Sequence, residues 1–195
     1  MYPTLYKSRQ AEPKYLPRSW YYNDALRLPW VRTIAIKKTA ALDKERVRGL
    51  IYASNKETHG GLESLDYTII IADGMTPEYE RFVTIKELMH CYFAPNNEKN
   101  VRYLTGTQIA LENHMNAFFG GATSKPPQDE AEKMALWMAI GVLTPEHDRT
   151  ALIARIKAKT TSVEQEGVTL KVPAKQVKAM ISNFYQAEIS KLISC

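Results

Sequence analysis

Several things are scarce in this chain of 195 residues. Cysteine occurs only at positions 91 and 195. Two isolated thiols build no disulfide framework, and a reducing, cytoplasmic setting is the expectation. No run of 18 apolar residues is present, so no membrane-spanning helix is expected. The opening stretch "MYPTLYKSRQAEPKYLPRSWYY" lacks the apolar segment of a secretory signal. No glycine-rich phosphate loop, paired CxxC or GxSxG elbow occurs, and no internal repeat. Charge of one sign is modest: the net is +5, with basic residues spread along the chain. That argues only weakly for nucleic acid, which calls for a clustered basic patch.

What is present suffices for a folded domain. Hydrophobic residues make up 45% of the chain, enough for a real core. Residues 1–19 hold three prolines and read as an extended arm, with tyrosines as packing anchors. "VRTIAIKK" (31–38) reads as a strand. Residues 42–57 read as a helix, because Val47, Leu50, Ile51 and Ser54 fall at i, i+3, i+4 and i+7. "HGG" (59–61) reads as a loop holding His59. "LDYTIIIAD" (65–73) reads as a strand ended by Gly74.

Residues 76–93 are the best-signalled helix, with Thr76 as N-cap, Pro77 at the first position and Glu78 and Glu80 in the first turn. Helices are expected over 106–121, 129–143 and 145–159. "TTSVEQEG" reads as a polar turn before one more helical piece. The expected fold is α+β, a small sheet packed on a helical bundle. Its expected divisions are a lead-in (1–40), a main domain (41–160) and a C-terminal helical extension (161–195).

The chemistry centres on "KELMH" (86–90). Residues four apart share a helix face. In the H-E-x-x-H pattern two such histidines bind zinc and the glutamate acts as general base. Glu87 and His90 are in place, but Lys86 stands where the first histidine belongs. Holding a lysine neutral at pH 7, so that it has a lone pair to give, costs roughly 4–5 kcal/mol. Two nearby carboxylates make that harder. A long lysine can instead put its ammonium near the metal's place and pair with those carboxylates.

The match runs beyond that pentapeptide. Arg81, Phe82, Glu87, Leu88 and His90 resemble the "RRFTIAHELGHY" segment of the ImmA/IrrE family of zincin-like peptidases. Glu132, Ala135, Ala139, Leu143 and Pro145 fall in register with its second signature, "ExxANxFAAxLLMP", with Met138 in place of Phe. "YTIIIAD" and "LKVPAKQVKAMI" resemble the family's preceding strand and following helix. The resemblance spans about residues 45–190. It implies a zincin-like fold and makes Glu132 the third zinc ligand, beside His90. It also implies a bacterial, phage or mobile-element regulator, since the family cleaves helix-turn-helix repressors. Departures are Lys86, Met89 in place of a glycine, and a longer stretch between His90 and Glu132.

Three readings follow. The first is a catalytically degenerate member that needs no cofactor and binds a protein partner, a repressor or host factor. The second is an active zinc metallopeptidase with a changed ligand set: Glu87 as general base, His90 and Glu132 on the metal, and His114 as a substitute ligand. The third is a nucleic-acid-associated regulator working through its basic surface and C-terminal helices.

Overall fold

The computed structural model describes residues 1–59, 62–93, 105–106 and 127–194. The chain begins with two short helices, α1 (Tyr2–Arg9) and α2 (Arg18–Ala25). Strands β1 (Val31–Thr39), β2 (Gly49–His59) and β3 (Leu62–Ala72) follow. Helix α3 (Pro77–Met89) runs into a 3-10 turn, His90–Tyr92. A two-residue strand, β4 (Thr105–Gly106), pairs with the start of β2. The rest is helical: α4 (Pro127–Val142), α5 (Glu146–Lys157), α6 (Val163–Leu170), α7 (Ala174–Met180) and α8 (Tyr185–Ile193). This is an α+β architecture.

The sheet is mixed. β3 lies in its middle, parallel to β1 and antiparallel to β2. One row across it is Ile36, Ile69 and Ile51, and the last two are buried. The next row is Ala35, Thr68 and Tyr52, with Tyr52 exposed. That alternation is what a sheet with one covered face requires. The covered face lies on α3, whose residues from Arg81 to Met89 are all buried. α3 in turn packs on α2 and α4.

Five expectations need correction. Residues 42–57 are not a helix. A single turn closes at Asp43–Val47 (Val47 N to Asp43 O, 2.7 Å), and the chain then enters β2. Val47, Leu50 and Ile51 fit either period over so short a window, and pairing with β3 decides it. His59, expected in a loop, is the last residue of β2.

The N-terminal residues are not an extended arm. Pro3 sits in the first turn of α1, and Pro17 immediately precedes α2. Prolines at helix starts cost little, because those N–H groups have no partner within the helix anyway. The tyrosines do anchor this segment. Tyr2 Oη donates to Met138 O (3.1 Å) and Tyr21 Oη to Val142 O (2.8 Å), both on α4.

"TTSVEQEG" is not a plain turn. Ser162 and Gln165 form a capping box that starts α6. The final helical piece is two helices, broken between Met180 and Tyr185. Leu170, Val172, Val177, Met180, Tyr185 and Ile189 share one hydrophobic core with α3 and α4. The expected helix over 106–121, with His114, lies outside the described residues. Among the described residues no helix is long and apolar enough to cross a membrane.

Candidate functional site

Helix α3 carries the first half of the site. Thr76 caps it, its side chain accepting from Tyr79 N (3.5 Å). Glu78 and Glu80 lie in the first turn, where carboxylates are favoured by the helix dipole. The last helical turn then brings Lys86, Glu87 and His90 inward together. Helix α4 packs against this turn and supplies Glu132. The four residues singled out at 86, 87, 90 and 132 therefore meet, although 46 positions separate Lys86 from Glu132.

Lys86 lies at the centre, with 4% of its side chain exposed. Its Nζ donates to Glu132 Oε2 (2.6 Å) and lies 2.8 Å from Glu87 Oε1. His90 Nε2 lies 3.1 Å from Glu132 Oε1 and 3.9 Å from Glu87 Oε2. The first of these is within contact distance but outside hydrogen-bond geometry. His90 Nε2, Glu87 Oε2 and Glu132 Oε1 are thus buried polar atoms without a hydrogen bond. Phe93 meets the His90 ring edge-on, with centroids 5.6 Å apart.

The electrostatics favour one charge arrangement. Burial alone would push the Lys86 ammonium toward its neutral form, but Glu132 and Glu87 outweigh it and hold the proton more firmly than usual. Burial would likewise raise Glu132, yet Lys86 and His90 hold its carboxyl well below the usual range. Glu87 goes the other way. Burial comes first and Glu132 adds to it, so Glu87 stays above the ordinary carboxylate value despite Lys86. The core of the site is an ammonium–carboxylate pair, Lys86 with Glu132, with Glu87 as the carboxyl more ready to keep a proton.

Gly49 has a role here that the residue pattern does not reveal. It opens β2 directly against α3. A Cβ at this position would lie 2.5 Å from Val83 Cγ1 and 2.9 Å from Glu87 Oε1. Glycine is required by close approach, and that approach fixes the Glu87 side chain from the sheet side. Cys91 is buried and its carbonyl accepts from Trp30 Nε1 (2.7 Å), which makes it a core residue.

A catalytic zinc needs three protein ligands in open tetrahedral geometry. Here the conventional donors near one another are His90 Nε2 and Glu132. The third position on the same helix face is an ammonium, which has no lone pair to give. It already occupies Glu132 Oε2, and its charge opposes that of a divalent ion. The residues present do not fit a zinc centre of the usual kind. Among the described residues no cluster of three or more His, Cys, Asp or Glu suits a metal. No family model matches the chain, and neither the curated proteins nor the solved structures give a match.

Proposed function

We propose that this chain is a catalytically degenerate, zincin-like protein of the ImmA/IrrE kind that recognises a protein partner without cleaving it. The observation that supports this is the Lys86 ammonium, held between Glu132 (2.6 Å) and Glu87 (2.8 Å). The lysine does electrostatically what a metal ion would do for those carboxylates: it neutralises them and ties α3 to α4. It does not supply the Lewis acid that peptide hydrolysis requires. In this reading the protein is a cytoplasmic regulator in a phage or mobile element, and its partner is a helix-turn-helix repressor or a host factor.

The test is a binding and cleavage assay with repressors of that class and the full chain. The expected result is a complex whose partner stays intact, with and without added zinc. Metal-dependent cleavage that disappears in Glu87→Gln would overturn the proposal.

One observation favours the runner-up, an active metallopeptidase with a changed ligand set. His90 Nε2, Glu87 Oε2 and Glu132 Oε1 are buried without a hydrogen bond. In that reading His114 completes the set. Loss of zinc on His114→Ala, from a wild-type chain that holds it, would support this reading over the first.

A further inference from the structure

We draw no further inference here: the strongest candidate, the sheet face turned away from α3, on which exposed Ala35, Lys37 and Tyr52 lie beside half-buried Leu50, Thr68 and Ile70, carries none because nothing among the described residues shows what covers it.

Discussion

Lys86 and Arg9 are both cations buried in the same core, and they are satisfied in opposite ways. Arg9 is fully buried and donates to five backbone carbonyls: Val142, Leu143, Pro13, Lys14 and, at 3.5 Å, Glu12. Its charge is spread over peptide dipoles, and no carboxylate among the described residues pairs with it. The result is a staple that fixes the first helix and its following loop to the end of α4. Lys86 instead meets two carboxylates from two helices, with a histidine beside them. A cation on carbonyls can serve architecture alone. A cation among two glutamates and a histidine neutralises charges that would otherwise be buried unpaired. That difference is why the proposal of a degenerate catalytic centre rests on the Lys86 cluster and not on the Arg9 staple.

The largest test of this contrast comes from removing each cation. Lys86→Met leaves two buried carboxylates facing each other and is expected to cost about 3–5 kcal/mol at neutral pH in denaturant unfolding. Arg9→Met strands carbonyls rather than charges, and its cost is expected to be flat between pH 5 and 8. The Lys86→Met cost shrinks on acidification. Glu132 is depressed in the folded wild type, so its contribution is present above the ordinary carboxylate range and is lost as pH falls through the folded value. In the variant those carboxyls take up protons instead. Equal pH profiles for the two variants would remove the distinction.

Next in size is the pairing itself. Adding Glu132→Leu to Lys86→Met is expected to recover about half or more of the lost stability, since replacing both members of a buried pair costs much less than breaking it. A double variant as unstable as the sum of its parts would show that Lys86 and Glu132 are not coupled. Gly49→Ala is expected to cost about 1–3 kcal/mol through the clash with Val83 and Glu87, measured by thermal unfolding.

The smallest effect belongs to Glu87→Gln. The folded carboxyl lies above its ordinary value, so the stability it gives is present below that value and is lost as pH rises through the folded one. The amide removes this slope. The variant is expected to match or exceed the wild type by about 1 kcal/mol near pH 7. A marked loss of stability there would mean that Glu87 is ionised and held by Lys86.

The site was more legible in the residues than the fold around it. The i, i+4 spacing of Lys86 and His90 and the second signature at Glu132 name the four groups that meet. α3 was legible too, because Thr76 and Pro77 mark its start chemically and not by periodicity alone. β2 was not, because four apolar or small residues at helical spacing are overruled by pairing with β3 across the hairpin. The first two helices were hidden by their prolines, which mark helix starts as readily as extended chain. Arg9 and Gly49 left no local signal. Each acts through a neighbour far along the chain, the carbonyls of Val142 and Leu143 in one case and Val83 and Glu87 in the other.

The central claim is that Lys86 stands in the metal's place. The most direct measurement is zinc content, by elemental analysis after dialysis, of the wild-type chain and of Lys86→His prepared in parallel. The predicted result is no stoichiometric zinc in the wild type. In the variant about one zinc per chain is predicted, since the introduced imidazole would join His90 and Glu132 as a third ligand. Stoichiometric zinc in the wild type, unchanged by Lys86→His, would contradict the claim.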